Sequence, residues 1–412
     1  MKKDKKELPR RQFIANMSKV GALGFIGSML PVSANAAAIE TFTARPSEGH
    51  IFLTKPYLQV PSPDSMTIRW VTNKLCYSWL EYGEGNNLDK KMHQVTDGLV
   101  NAHNRINSVT LQNLKPNTAY SYRVVSKEIT SFQPYSLKYG ETITSDTYSF
   151  TTPKENPEEV SWLIMNDIHD RPHSIPHLLK LNGDEAFDYV FFNGDIFDYQ
   201  EDEKQIIDHM LNPCTESFAS TKPFLFVRGN HETRGKYARE LKNYFSTKGD
   251  KGYYAYEWGP VFTVVLDTGE DKPDNHQVYG GIVGFDDYRK EQRKWAEEVM
   301  RSKAFKKAKF RVVMMHIPHF HSDEEHGTMH CRQLFAPLFD RYKVDIVLSG
   351  HTHTYGVHPP TTDHSYPIII GGGPKEGNRT LIKVKADMKS LNVSMLKDDG
   401  TEVGKYFINS KR

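Results

Sequence analysis

Five short stretches of the chain carry side chains of the kinds that hold metal ions. In order they are Asp167-Ile168-His169, Gly194-Asp195-Ile196-Phe197-Asp198, Gly229-Asn230-His231-Glu232, His316 and Gly350-His351-Thr352-His353. Carboxylate, carboxamide and imidazole donors without a thiolate suit Zn, Mn or Fe better than a soft metal. Asp167, His169, Asp195, Asn230, His316, His351 and His353 are seven candidate ligands. That is more than one ion needs, but it suits two ions sharing a carboxylate, roughly 3.5–4 Å apart, a clamp for in-line displacement at phosphorus. In Asp167-x-His169 and His351-x-His353, an i, i+2 pair on extended chain would point both side chains to one side. Gly194, Gly229 and Gly350 each precede a ligand, where the missing Cβ permits a tight turn.

Each stretch follows an apolar run rich in β-branched or aromatic residues: 160–165, 189–192, 224–227, 311–315 and 344–348. Helix-like segments lie between them at 203–210, 237–245, 287–301 and 331–342. Buried strands alternating with helices predict an α/β sheet covered by helices. In such a sheet, sites form outside the carboxyl ends of the strands, where these residues fall. The tail predicts three antiparallel strands at 380–384, 391–396 and 403–408.

The chain from about Thr54 to Thr152 reads differently. Alternating stretches such as 65–71 and 120–125 are separated by turn residues, including Pro61-Ser62-Pro63-Asp64 and Lys115-Pro116-Asn117. About seven short strands at this spacing predict a β-sandwich, with Trp70 as its core aromatic. Leu114-Lys115-Pro116-Asn117-Thr118-Ala119-Tyr120 resembles the tyrosine corner of fibronectin type III domains. Trp70, Trp79, Tyr120 and Tyr122 read as sandwich core rather than a glycan platform, and residues 154–159 as a linker.

The ordered set D-x-H, G-D-x-x-D, G-N-H-E, H, G-H-x-H resembles the calcineurin-like metallophosphoesterase superfamily, all five blocks occurring between Asp167 and His353. A fibronectin-type-III-like domain before such a core is similar to the layout of plant-type purple acid phosphatases. The resemblance implies a four-layer α/β/β/α sandwich over residues 160–412, preceded by the small all-β domain at 50–153. It also implies two divalent or trivalent metal ions (Fe, Mn or Zn). Asp167, His169 and His353 would hold the first, Asn230, His316 and His351 the second, and Asp195 would bridge them. His231 would serve catalysis as the acid for the leaving group or as a transition-state donor, with Asp198 and Glu232 as supports. The expected reaction is hydrolysis of a small phosphate ester, a monoester by preference, through in-line attack of a hydroxide formed between the ions. A phosphodiesterase or nucleotide-processing hydrolase is the alternative within the superfamily. A polymer-binding envelope protein with a structural metal core is the alternative outside it. One departure stands out. Purple acid phosphatases have a tyrosine iron ligand at the position held here by Asp198, whereas Tyr199 comes one residue late and His169 is available instead. No tyrosinate-to-iron charge transfer, and so no purple colour, is expected.

Other residues read less sharply. The segment between His316 and Cys331 contains His319, His321, His326 and His330 with Asp323, Glu324 and Glu325. It would form a solvated or substrate-contacting loop, with His326 as its substrate candidate. Arg228 and Arg234 could contact phosphate. Gly371-Gly372-Gly373-Pro374 lacks the Lys-Ser/Thr of a P-loop and reads as a tight turn near the site.

The overall charge conceals a division. The 412 residues carry 53 Lys and Arg against 51 Asp and Glu. Residues 1–36 alone hold seven basic and two acidic residues, leaving 46 basic and 49 acidic in the rest. Residues 1–38 read as an export signal: a basic start, a short Gly-containing apolar stretch at 20–30, and Ala34-Asn35-Ala36 as a small-x-small cleavage pattern. Arg10-Arg11 followed by Gln12-Phe13-Ile14 resembles the twin-arginine signal. The expected location is therefore the periplasm, cell envelope or exterior of a bacterium. A mildly acidic mature chain gives no support to a nucleic-acid-binding surface. No apolar run reaches the roughly 20 residues of a membrane span, and three scattered cysteines (Cys76, Cys214, Cys331) exclude a disulfide-dense scaffold.

Overall fold

The computed structural model describes residues 49–412. The export signal read at residues 1–38 lies outside the described residues.

The apolar runs of the catalytic part build two six-stranded sheets, as the four-layer resemblance implies, where strand composition alone pointed only to an α/β sheet. The first runs Phe224–Val227, Tyr189–Asn193, Glu159–Met165, Thr380–Asp387, Ser390–Lys397, Glu402–Asn409. Its first three strands pair in parallel, and the three tail strands continue it antiparallel. The second runs Tyr254–Trp258, Val261–Leu266, Phe310–Met315, Ile346–Ser349, Ile368–Ile370, Gly356–His358. The hairpin Tyr254–Trp258/Val261–Leu266 was not expected. Gly259-Pro260 turns it, and its outer strand is only half-buried, which blurs the periodicity.

Three apolar layers hold the sheets and helices together. Trp162, Ile164, Phe191, Val312 and Leu348 fill the space between the sheets, where Tyr189 stacks on Trp162 and Trp258 with ring centroids 5.8 and 4.9 Å away. Ile175, Leu178, Ile206 and Met210 cover the other face of the first sheet. Ala296, Met300, Phe335 and Phe339 cover the second. The order is therefore helices, sheet, sheet, helices.

Helix boundaries depart from expectation in two places. Residues 237–245 form only a short 3₁₀ turn, Leu241–Asn243. The Asn243 and Tyr244 carbonyls accept hydrogen bonds from the side chains of Arg69 and Tyr57 instead of from a helical ladder. The helix expected from Cys331 begins at His326 and runs to Tyr342, lifting His326 and His330 out of the supposed loop.

Before the core, seven strands form an all-β domain around Leu58, Ile68, Trp70, Leu80, Tyr122 and Phe150. Two strands are long: Ser65–Glu84 and Ala119–Gln133. Ser65–Glu84 pairs with Ala102–Leu111 through its first part and with Ala119–Gln133 through its second, shifting register between Val71 and Cys76. The strand thus continues well past the 65–71 stretch read from the sequence. Tyr120 Oη accepts a hydrogen bond from the Lys115 amide at 2.9 Å, the geometry of a tyrosine corner. This domain is fastened to the core by Tyr57 Oη to Tyr244 O (2.7 Å) and Tyr122 Oη to Ser220 O (2.8 Å). Among the described residues, no helix is long and apolar enough to cross a membrane.

Candidate dinuclear metal centre

The carboxyl ends of strands from both sheets meet at one rim. The buried Asn193 side chain of the first sheet donates to Leu348 O of the second at 3.1 Å, and the His351 amide beyond the second sheet donates to Asp167 Oδ2 beyond the first at 2.9 Å. Asp167, His169, Asp170 and Asp195 all have positive φ, as do His351 and His353. The ligand pairs are therefore not extended, contrary to the i, i+2 rationale. Left-handed residues curl each loop back on its neighbour, so that the Asp167, His169 and Asp170 amides donate to Gly194, Asp195 and Ile196 carbonyls at 2.9–3.0 Å. Asp and His tolerate this region better than most side chains do. Gly194, with φ +83°, has no such tolerance to spare: a Cβ there would lie 2.5 Å from His316 Nδ1. Gly373 lies against the site too, where a Cβ would meet that of His353 at 2.5 Å.

Two groups of ligand atoms result, sharing Asp195. In the first, Asp167, His169, Asp195 and His353 bring one ligand atom each within 4.8 Å of one another. The second is Asp195, His316 and His351, joined by Asn230, whose Oδ1 lies 3.0 Å from His351 Nδ1. Asp195 Oδ2 is 3.0 Å from His316 Nε2 and 3.6 Å from His169 Nε2. All seven candidate ligands thus converge.

The proton positions fit cations between these groups. His316 Nδ1–H donates to the Asn193 carbonyl at 2.8 Å, so in the neutral ring Nε2 carries a lone pair and faces the Asp195 carboxylate. His169 Nδ1–H donates to Asp198 Oδ1 at 2.7 Å, leaving its Nε2 lone pair toward His353 Nε2 at 2.9 Å. His316 Nε2 and Asp167 Oδ1 are buried without a hydrogen-bond partner. Lone pairs facing lone pairs and carboxylates repel, and a positive charge among them removes the repulsion. The titration of the groups reflects the same demand. Burial works to lower His316 and His169, yet the Asp195 and Asp167 carboxylates carry them up to about 10 and about 9. Burial likewise works to raise Asp167 and Asp195, but their histidine partners hold both below the ordinary carboxylate range. Two metal ions would be held by these residues.

Around the ligands lie their supports. Glu232 is buried and accepts four backbone amides: Gly229 (2.6 Å), Ile196 (2.7 Å), Asp195 (2.8 Å) and Phe197 (3.2 Å). It staples the Gly194–Asp198 loop to the Gly229–Glu232 turn. Asp198 orients His169 by its side chain and His231 by its carbonyl, which accepts from His231 Nδ1–H at 2.7 Å. Tyr199 is 52 % exposed. The His231 ring lies 4.6 Å from that of His169, centroid to centroid. Burial, with Arg234 and His169 adding to it, depresses His231, and Asp195 only partly opposes them.

The remaining candidates fall elsewhere. His326 Nε2 bonds Asp286 Oδ1 at 2.7 Å, and His330 Nδ1 is 3.2 Å from the same oxygen. The buried Arg289 guanidinium donates to that oxygen as well, so its charge is already neutralised. Arg228 pairs with buried Asp267 at 2.5 Å. Among the loop histidines, His319 is buried on Tyr366 Oη at 2.7 Å, and His321 meets His364. Sequence reasoning missed Glu270, which fixes Arg234 and belongs to no motif. It also missed Asp170, which accepts from the Asp198 amide and from His209 at 2.7 Å and stands immediately after Asp167-x-His169.

Comparison with known proteins defines the class. Residues 161–355 match the calcineurin-like phosphoesterase family, and residues 53–152 match the purple acid phosphatase N-terminal domain. The chain carries both domains, and it is a metal-dependent phosphatase of purple-acid-phosphatase-like organisation. Among curated relatives it is similar to purple acid phosphatase 21 of Arabidopsis thaliana, with 24% identity over 350 residues, covering 78% of this chain and 71% of the relative. It is also similar to acid phosphatase type 7 of Mus musculus, 25% identical over 323 residues, covering 71% and 67% respectively. Purple acid phosphatase PPD1 from yellow lupin (Lupinus luteus) shares the fold, with a TM-score of 0.66 at 17% identity over 86% of this chain and 74% of that one. PhoD does so with a TM-score of 0.61 at 12% identity, over 89% and 90%.

Proposed function

We propose that the protein is an exported phosphatase that hydrolyses phosphomonoesters, in the periplasm or outside the cell. The observation that carries the catalytic part is the pair of ligand groups joined through Asp195, with lone pairs and carboxylates turned toward one another. The names of the relatives, acid phosphatases, favour the monoester. The basic, then apolar, N-terminal segment is the support for export.

Asp167, His169 and His353 would hold one ion and Asn230, His316 and His351 the other, with Asp195 on both. When bound, the ions supply Lewis acidity toward the phosphate oxygens and lower the pKa of water. The chain supplies position. Glu232 fixes the backbone that carries Asp195 and Asn230, and Asp198 fixes the rings of His169 and His231. His231 Nε2, at the edge of the cluster, lies 3.0 Å from Arg234 Nη1, so to assist the leaving oxygen it would have to take up a proton and release that contact; such assistance typically contributes 10²–10⁴-fold.

The test is turnover of an aryl phosphate monoester and of the matching diester by metal-reconstituted protein. Faster monoester hydrolysis supports this assignment. Faster diester hydrolysis would make the protein a phosphodiesterase on the same centre.

A further inference from the structure

We propose that Arg234 is the phosphate-binding cation of this site and the residue that favours dianionic monoesters over monoanionic diesters. The inference rests on the phosphoesterase reading above. Arg234 lies three residues beyond His231, in the run Gly229-Asn230-His231-Glu232-Thr233-Arg234-Gly235. Its backbone is pinned: its carbonyl accepts the Gln200 amide at 2.9 Å, and its amide donates to His231 O at 3.1 Å.

The side chain is equally fixed. Arg234 Nε and Nη2 donate to the two oxygens of Glu270 at 3.0 and 2.9 Å, a bidentate pair. Glu270 is buried and also accepts from Thr233 Oγ1 at 2.7 Å and Tyr279 Oη at 3.0 Å. The second Nη2 hydrogen points to Asp271 Oδ2 at 3.3 Å, and one Nη1 hydrogen to His231 Nε2 at 3.0 Å. A guanidinium has five N–H donors, so one remains. It is on Nη1, beside the ring placed at the edge of the metal cluster. Because His231 Nδ1–H is committed to Asp198 O, neutral His231 meets Arg234 as an acceptor. The side chain is about a third exposed.

The arrangement suits a phosphate oxygen. A guanidinium held rigid by a buried carboxylate gives up little freedom on binding an anion. Glu270 and Asp271 offset the charges of Arg234 and Lys272, so what is offered to phosphate is the remaining charge-assisted Nη1–H donor, which bonds the more basic oxygen of a monoester dianion more strongly than that of a diester monoanion. Lys272, 3.0 Å from Asp271, offsets the second acidic charge next to the pair.

The experiment uses metal-loaded full-length protein as wild type, Arg234→Gln and Arg234→Lys, with metal content measured for each. Two competitors of aryl phosphate turnover are compared: inorganic phosphate and dimethyl phosphate. In Arg234→Gln, the inhibition constant of phosphate and the monoester KM should rise about 10- to 100-fold. That of dimethyl phosphate should move less than about threefold, and Arg234→Lys should recover part of the loss. Equal weakening of both inhibitors, or no weakening of either, would overturn the inference. If Arg234→Gln loses its ions, Arg234→Lys decides the matter by the same ratio. An inactive, fully metallated wild type would instead overturn the phosphatase reading.

Discussion

The Nε2 atoms of His169 and His353 face one another across 2.9 Å, and the proton of His169 is held at its other nitrogen by Asp198. Neighbouring imidazoles so arranged either share a proton or share a cation. With Asp167 Oδ1 3.3 Å from His353 Nε2 and 3.7 Å from His169 Nε2, the point between them is a ligand-rich position, walled by buried Asp167 and His169 and reached from the exposed His353 side. Asp195 Oδ2 stands in a similar relation to His316 Nε2 at 3.0 Å, so its carboxylate is the group that two ions would share.

Colour follows from Asp198 and Tyr199. Asp198 bonds His169 and Tyr199 is exposed, so iron bound here has no phenolate donor among the converging groups. Iron-reconstituted protein should show no tyrosinate charge-transfer band in the visible, and Tyr199→Phe should leave spectrum and turnover unchanged. A visible band abolished by Tyr199→Phe would contradict the ligand set.

Glu232 should matter more to folding than to chemistry. Replacing it with Ala strands the four amides of Gly229, Asp195, Ile196 and Phe197, each buried donor costing about 1–3 kcal/mol when unpaired, less what water recovers. Chemical denaturation should show a loss of at least about 3 kcal/mol in Glu232→Ala, with less in Glu232→Gln. An unchanged midpoint in the Ala variant would show that the staple is dispensable.

His319, three residues beyond His316, gives a pH dependence set by burial rather than by the carboxylates of the centre. Burial, reinforced by neighbouring His364 and Arg332, pushes its pKa down from 6.5 to about 3. The unfolded chain therefore takes up the proton first. Stability contributed by neutral His319 is complete above about pH 6.5 and is lost as pH falls from there toward 3, on the order of 3 kcal/mol by pH 4. Urea denaturation at pH 7 and pH 4.5 should show that His319→Gln has a flatter dependence than wild type. Identical slopes would remove His319 from the account.

Much of the centre was legible because each ligand block directly follows a buried apolar strand, and such strands announce themselves by composition. Phe310–Met315 before His316 and Ile346–Ser349 before His351 are instances. The division into two sheets was not legible in the residues themselves, since three of the five strands pair in one sheet and two in the other without any difference in apolar pattern. Nor was the curl of Asp167 and His169 into positive φ, because both residue types occupy extended chain far more often. Arg234 could be named from its place after His231, but its carboxylate partner lies 36 residues away in a segment with no motif. Long-range ion pairs leave no periodicity to read.

The central claim is that Asp195 joins two ions into one phosphoesterase centre. Its most direct test is metal content together with aryl phosphate turnover, measured on wild type and Asp195→Asn. The account predicts two ions per wild-type chain and turnover that falls more than about 100-fold in the variant, with ion content reduced. Equal turnover and equal metal content in the two proteins would contradict it.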